Sequence, residues 1–122
     1  MANPNQVVGR LKIKLDGAMQ PTAQGKATMN IGGVTRKPVP GDYEVGSFTE
    51  ELVPSETDFE VLLKKGVSLA GLRAIDNATL TLETDIGTSY IVRNAYTSDA
   101  ITVGQEGSAK VKMMGPPAEE VL

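Results

Sequence analysis

The chain has 122 residues, which is enough for one domain with its own apolar core. It carries 12 basic and 15 acidic residues, a formal net charge of −3, whereas a dedicated nucleic-acid-binding protein usually presents a strongly basic face. Cysteine and histidine are absent, which excludes disulfides and thiol nucleophiles and removes the usual ligands of zinc. The apolar runs are short, and the first residues lack a basic segment followed by an apolar one, so we expect neither a membrane span nor a signal peptide.

The first third of the chain predicts two strands. Residues 9–15 place leucine or isoleucine at every second position with a basic residue between them, a pattern typical of a half-buried strand. Asp16 and Gly17 follow as a turn pair that tolerates positive φ. Residues 25–31 alternate again and predict a second strand, which Gly32 and Gly33 end or bulge.

The middle of the chain has a less regular pattern. Residues 32–46 contain two prolines and several glycines, and we predict a long connection with an extended edge stretch. Residues 47–53 and 57–63 predict two strands, which we expect to pair as an antiparallel hairpin through residues 54–56. Ser68 is suited to cap a short helix over residues 69–75. The apolar residues of this helix recur at helical spacing on one face: Leu69, Leu72 and Ile75.

The rest of the chain predicts further strands. Residues 78–84 and 89–97 form a strand pair around a turn at residues 85–88, with an irregularity near Asn94. Residues 99–103 and 108–114 predict a last hairpin.

These elements predict a mainly β fold of two packed antiparallel sheets, a sandwich or flattened barrel, with one short flanking helix. We expect one domain over residues 1–122. Its predicted irregular parts are a flexible N-terminal arm over residues 1–8, the long loop over residues 32–46 and a short C-terminal tail over residues 115–122.

Charge is distributed unevenly along the chain. Residues 1–40 contain six basic residues and one acidic residue, whereas residues 41–62 contain seven acidic residues and no basic one. Such segments are often solvated faces. Alternatively, the basic and acidic segments complement each other across copies of the chain, because complementary potentials fix partner and register at an interface.

The sequence offers little catalytic chemistry. Without histidine the usual general base is missing, and the chain has neither a Gly-x-Ser-x-Gly elbow nor a phosphate-binding loop. Glu50, Glu51, Asp58 and Glu60 have the chemistry for acid–base pairing or for a divalent cation, but a solvated or partner-facing strand is more typical. We therefore expect no enzyme, no catalytic residue, no metal site and no cofactor.

The order of the elements resembles a known family over roughly residues 9–114. The residues that carry the resemblance are the Leu-Asp-Gly turn at residues 15–17, the long Gly/Pro connection, the short helix, and the run from Ile75 to Thr97 with its Tyr-Ile-Val-Arg-Asn-Ala-Tyr return. Together they resemble the tail tube proteins of contractile-tailed, Mu-like bacteriophages. The Pro-Pro tail from residue 115 and the loop spacing depart from that pattern.

The resemblance implies a structural virion protein in the tail tube, with hexameric rings that stack around a channel for DNA inside a contractile sheath. It also implies that the partners are other copies, the sheath protein, and the terminator, baseplate and tape-measure proteins, with DNA only as passing cargo, no membrane, and assembly in the host cytoplasm. The tubes of pyocins and type VI secretion systems share this implied fold. Candidate inter-subunit contacts are Arg36, Lys37, Asp42, Tyr43, Glu44, Glu50, Glu51, Asp58 and Glu60.

Two other readings of the chain remain open. One is a small soluble β-barrel that binds oligonucleotides or carbohydrates, although its few aromatic residues do not alternate with basic ones as stacking platforms require. The other is a small enzyme that uses carboxylates and a metal ion.

Overall fold

A computed structural model describes residues 3–122, and these form ten β-strands and one short helix. The strands pair antiparallel throughout the described residues. In chain order the elements are β1 (Leu11–Leu15), β2 (Ala18–Met19), β3 (Thr28–Asn30), β4 (Gly33–Pro38), β5 (Phe48–Val53), β6 (Ser55–Leu62), α1 (Leu69–Arg73), β7 (Ala78–Thr84), β8 (Ser89–Thr97), β9 (Ser108–Gly115) and β10 (Glu119–Val121).

The strands belong to two sheets. The main sheet has eight strands in the order β2-β1-β7-β8-β9-β6-β3, with β10 paired to β8 beside this path, and it is not closed into a barrel. The second sheet is the two-stranded hairpin β4–β5. The prediction of a mainly β protein with antiparallel sheets and one helix is therefore confirmed.

The main sheet bends at β8. The first half of β8 pairs with β7 and β10, and its end pairs with β9. Asn94 has a φ of 58°, and the register with β7 shifts between Ala78 and Leu80, so the predicted irregularity is confirmed. The two halves of the sheet enclose one core, whose buried members are Ile13, Leu15, Phe59, Val61, Leu72, Leu80, Leu82, Val92, Ala95, Val111 and Met113.

Two local predictions are confirmed by backbone geometry. Asp16 and Gly17 have φ values of 51° and 86°, as a two-residue hairpin turn requires, and β2 runs back along β1. The Ser68 hydroxyl accepts a hydrogen bond from the Gly71 N–H at 3.1 Å and caps α1. Leu72 is buried against the core, although the helix ends at Arg73, two residues earlier than predicted.

The predicted pairing of the two middle strands is wrong. β5 pairs with β4, in register from Gly33 opposite Val53 to Pro38 opposite Phe48, and β6 pairs with β9 and β3. Only Pro54 separates β5 from β6, which is too little chain for a reversal, so the chain continues into the main sheet. Residues 33–38, predicted as part of a long connection, instead form β4.

The end of the chain also differs from the prediction. Residues 99–103 form no strand, because the ladder between β8 and β9 continues only to the hydrogen bond from the Ser98 N–H to the Lys112 carbonyl. Within the predicted tail, β10 pairs with the first residues of β8. Arg93 of β8 also forms a solvent-exposed ion pair with Glu119 of β10, with its Nε 3.3 Å from the carboxylate. The predicted N-terminal arm has no strand over residues 3–8, and residues 1 and 2 lie outside the described part.

Candidate assembly interface

The β4–β5 hairpin stands apart from the rest of the protein. It pairs with no other described strand, and every residue from 34 to 52 is exposed. An isolated two-stranded hairpin is marginally stable in water unless a further strand or a packing surface supports it. A surface of this kind points to a partner outside the chain.

One face of the hairpin is largely apolar. Leu52 is 89% exposed and lies opposite Val34, while Phe48 is 54% exposed and lies opposite Pro38. The sequence did not predict this face, because residues 32–46 lack a clean period and residues 47–53 were expected to pair with residues 57–63. The signal in the second strand is weak, since Phe48 and Leu52 lie on one side of it but Glu50 between them breaks the apolar alternation.

Between these apolar pairs lies a single ion pair. The Arg36 guanidinium nitrogen Nε is 3.4 Å from the Glu50 carboxylate, and its carbon Cζ lies 5.9 Å from the centre of the Phe48 ring. Both charged side chains are half exposed or more, so the pair contributes little to stability while it faces water. A partner that covered it would strengthen the Coulomb attraction between the two charges and would also remove both from water, which costs free energy.

The hairpin tip, residues 39–47, is ordered by two backbone hydrogen bonds. The Val39 N–H donates to the Ser47 carbonyl at 2.8 Å, and the Gly41 N–H donates to the Glu44 carbonyl at 2.7 Å. Asp42 and Tyr43 therefore form the outermost point of the hairpin, and the Tyr43 side chain is 100% exposed. Among the described residues, Asp42 and Glu44 take part in no ion pair within 4.0 Å.

Asp58 and Glu60 lie elsewhere, on the outer face of β6. The register places Asp58 opposite Lys112 and Glu60 opposite Lys110, and the Glu56 carboxylate is 4.0 Å from the Lys112 amine. Opposite charges at facing positions of neighbouring strands attract each other. Three of the seven acidic residues of the segment 41–62 thus lie beside or opposite the two lysines of β9 in the same chain.

The structure therefore divides the nine predicted contact residues into two groups. Seven of them lie together on the hairpin: Arg36, Lys37, Asp42, Tyr43, Glu44, Glu50 and Glu51. The other two, Asp58 and Glu60, lie on the main sheet. Their role at an interface remains a prediction.

Over residues 3–122, no group of three or more acidic side chains is placed to hold a metal ion. The helix α1 has five residues, and no helix within residues 3–122 is long and apolar enough to cross a membrane.

The fold and its surface define a class of protein: a mainly β domain with one short helix, whose β4–β5 hairpin lacks support from its own chain. Comparison with known proteins identifies the family, because residues 4–120 match the model of the phage tail tube protein. The chain belongs to this family. It is also 32% identical over 108 residues to the Mu-like prophage FluMu tail tube protein of Haemophilus influenzae (strain ATCC 51907 / DSM 11121 / KW20 / Rd), covering 88% of this chain and 90% of that protein.

Solved structures share the fold at low sequence identity. The tube-terminating cap of the anti-feeding prophage superposes with a TM-score of 0.70 at 10% identity, covering 99% of this chain and 93% of that one. The sheath/tube terminator of the extracellular contractile injection system PVC gives 0.70 at 8% identity, with full coverage of both chains. A chain of the PVC sheath-tube complex gives 0.64 at 9% identity, covering 94% of this chain and 90% of that one.

Proposed function

We propose that this protein is the building block of the tail tube of a contractile-tailed phage, where copies form hexameric rings that stack around a central channel. The observation that carries the proposal is the family match over residues 4–120 combined with a hairpin that its own chain leaves exposed. A repeating assembly supplies the missing support, because each hairpin packs against the next copy in a head-to-tail contact that closes into a ring or continues along the tube.

Sheath and terminator proteins are the natural partners at the outside and the end of the tube. The support is the shared fold with subunits from a sheath-tube complex and from a sheath/tube terminator. Baseplate and tape-measure proteins follow from the same role at the other end of the tube and within its channel. DNA passes through the channel without being held, and the net charge of −3 favours weak contact with its phosphates. The protein is then a component of the virion tail, assembled in the host cytoplasm.

Electron microscopy tests this function directly. We expect purified protein, alone or with its sheath and terminator, to form rings and tubes with a central channel and sixfold symmetry. Strictly monomeric behaviour in sedimentation at high concentration, without rings when tail components are present, would contradict the proposal. Another rotational symmetry would contradict only the hexamer.

Two observations separate the alternatives. Single-stranded DNA binding that weakens steeply with salt would favour an oligonucleotide-binding module, and we expect none. A second alternative is the tube of a DNA-free device such as a pyocin, which would form the same rings and so is not separated from a phage tube by electron microscopy of the rings. Nuclease-protected DNA in particles carrying this protein would assign it to a phage, which the 32% identity to a Mu-like prophage protein supports.

A further inference from the structure

A groove on the main sheet lies beside β1. It is a cavity of about 780 Å³ between β1 and residues 22–27, and this size is within the range of pockets that hold ligands or loop segments. We call it the β1 groove. Its lining includes the side chains of Val8, Arg10, Leu11, Lys12, Ala27 and Asp85.

The groove exists because the partner strand of β1 is very short. β2 pairs only with Lys14 and Leu15, and the Gln20 N–H makes one more bond to the Ile13 carbonyl. The chain then crosses to β6, where the Thr22–Val61 bridge and the bond from the Leu62 N–H to the Pro21 carbonyl hold it. The N-terminal half of β1 is therefore left without a strand on one side.

The open side of β1 presents backbone hydrogen-bonding groups. The Arg10 carbonyl accepts from the Asp85 N–H at 3.2 Å and so points toward β7. Because successive residues of a strand direct these groups to opposite sides, the N–H and carbonyl of Leu11 point into the groove. These two groups are therefore available to a hydrogen-bonding partner from another chain.

The groove also carries a basic rim. Arg10 and Lys12 are exposed and, among the described residues, join no ion pair within 4.0 Å. Asp85 is the acidic residue of the lining, and its carboxylate accepts from the Gly9 N–H at 3.2 Å. This hydrogen bond, with those from nearby backbone N–H groups and the charge of Arg10, holds the pKa of Asp85 below its ordinary value. Arg10 and Lys12 leave the rim net positive, with apolar Val8, Leu11 and Ala27 beneath it.

The hairpin tip has the complementary chemistry. It is narrow, ordered by its two backbone hydrogen bonds, and acidic at Asp42 and Glu44. The Tyr43 ring at its end is fully exposed, and Val45 beside it is 85% exposed. Tyrosine is a frequent anchor of protein interfaces, because its ring buries apolar area and its hydroxyl keeps a hydrogen-bonding partner.

We propose that the hairpin tip of one copy binds in the β1 groove of a second copy, with the Tyr43 ring in the cavity and the carboxylates of Asp42 and Glu44 against Arg10 and Lys12. The proposal rests on the proposed tube function and names the residues of one of its contacts. The contact joins different surfaces of the two copies, so each copy contributes one tip and one groove, and the chain of contacts propagates.

A charge-exchange experiment tests whether tip and groove meet. The tip variant carries Asp42→Lys and Glu44→Lys, and the groove variant carries Arg10→Glu and Lys12→Glu. We expect each variant alone to require a protein concentration roughly tenfold or more above wild type to form tubes, since like charges then face each other. An equimolar mixture should assemble near the wild-type concentration, because each reversed tip then finds a reversed groove.

Matched variants control for general charge effects. Lys64→Glu with Lys65→Glu, and Asp99→Lys with Glu106→Lys, reverse equal charges at other exposed positions, and we expect both pairs to assemble as wild type. If tip and groove variants assemble normally while wild type forms tubes, the tip–groove contact is wrong and the tube function stands. If wild type forms no tubes, the function itself fails. A further variant carries the tip and the groove substitutions in the same chain. If this variant forms tubes near the wild-type concentration while the mixture does not, tip and groove meet within one chain, and the proposal is also overturned.

A fluorescence measurement gives an independent readout. The chain contains no tryptophan, so Tyr43→Trp introduces a single one at a fully exposed position. We expect emission typical of water in the dissociated protein and a clear blue shift on assembly, which Arg10→Glu with Lys12→Glu should abolish at equal concentration. Unchanged emission in assembled wild-type-like tubes would overturn the proposal.

Discussion

At the scale of single residues, one glycine fixes how the hairpin leaves the main sheet. Gly32 lies between β3 and β4 with a φ of 75°, and a Cβ there would be 2.8 Å from the Ser55 backbone nitrogen. Any side chain meets both a strained backbone angle and a rigid neighbour. The close approach holds the start of the hairpin against the start of β6.

We predict that Gly32→Ala lowers the free energy of unfolding by about 2–4 kcal/mol, as strain and steric overlap combine. Gly33→Ala is the matched control, because its φ of 114° is also positive but a Cβ there meets nothing within 4 Å. Gly33→Ala should lower the free energy of unfolding by less, about 1–2 kcal/mol. Denaturant unfolding measures both, and equal losses would show that the contact with Ser55 does not matter.

We predict that the hydrogen bond from the Gly9 N–H to the Asp85 carboxylate, in the lining of the β1 groove, weakens at low pH. Its pKa is lower in the folded chain than in the unfolded one, so its bond to Gly9 contributes at neutral pH and is lost as pH falls through the lowered value. We expect hydrogen exchange at the Gly9 amide, corrected for intrinsic rate, to accelerate on acidification. Asp85→Ala should show this faster exchange already at neutral pH, and equal protection in both proteins would contradict the prediction.

At the scale of elements, the hairpin and the main sheet have separate tasks. No residue of the core cluster comes from residues 33–53, whereas β1, β6, β7, β8 and β9 all contribute to it. The hairpin therefore adds little to the stability of the protein and is available for contacts with other copies. The charged residues of β6 and β9 instead interact within the chain, because they face each other on neighbouring strands of the main sheet.

We predict that the hairpin can be removed without unfolding the protein. Gly33 and Val53 face each other in the antiparallel register, so replacing residues 34–52 by Asn-Gly closes the chain with a two-residue turn. The thermal midpoint should change by only a few degrees, about 5 °C or less, while rings and tubes should be absent in electron microscopy. Tube formation by this variant would contradict the role given to the hairpin.

We predict that the acidic face of β6 supports the sheet and not the assembly. Asp58→Asn with Glu60→Gln leaves Lys110 without its facing carboxylate and Lys112 with Glu56 alone, which should cost about 1 kcal/mol or less of unfolding free energy. Tube formation should be unchanged. A loss of assembly with intact folding would place these two residues at an inter-subunit contact after all.

At the scale of the whole molecule, the tertiary structure rearranges the charge pattern of the chain. The separation of basic and acidic segments along the sequence is partly balanced within the chain, because Arg36 pairs with Glu50, and Lys112 from a later strand lies beside Glu56 and opposite Asp58. Among the described residues that join no ion pair are Asp42 and Glu44 at the hairpin tip and Arg10 and Lys12 in the β1 groove. In the proposed contact between tip and groove, the electrostatic attraction between copies depends on these few charged residues.

We therefore predict a moderate salt dependence of assembly. Raising salt from about 50 mM to about 500 mM shortens the screening length severalfold, so the wild-type concentration required for tubes should rise. The mixture of tip and groove variants should respond equally, because it has the same number of opposed charges. Insensitivity of wild type to salt would argue against an electrostatic contact while leaving tube formation intact.

The sequence by itself determined what local rules control. Alternation identified β7 and β8 with their observed bounds, the Asp16–Gly17 pair specified its turn, and Ser68 specified the helix start. The absence of cysteine and histidine excluded disulfides, thiol nucleophiles and the usual zinc ligands, and the resemblance of the ordered elements to tail tube proteins indicated the family. Each of these depends on residues close together in the chain or on composition.

Only the tertiary structure decided which strands pair and which charges remain unpaired. Whether β5 turns back on β4 or on β6 depends on competition for partners far apart in sequence, and β9 occupies β6 from Ser55 to Leu62. The β1 groove likewise arises because β2 is short and the following chain crosses to β6. Such features follow from long-range packing, so the tip and the groove became visible as complementary surfaces only in the folded protein.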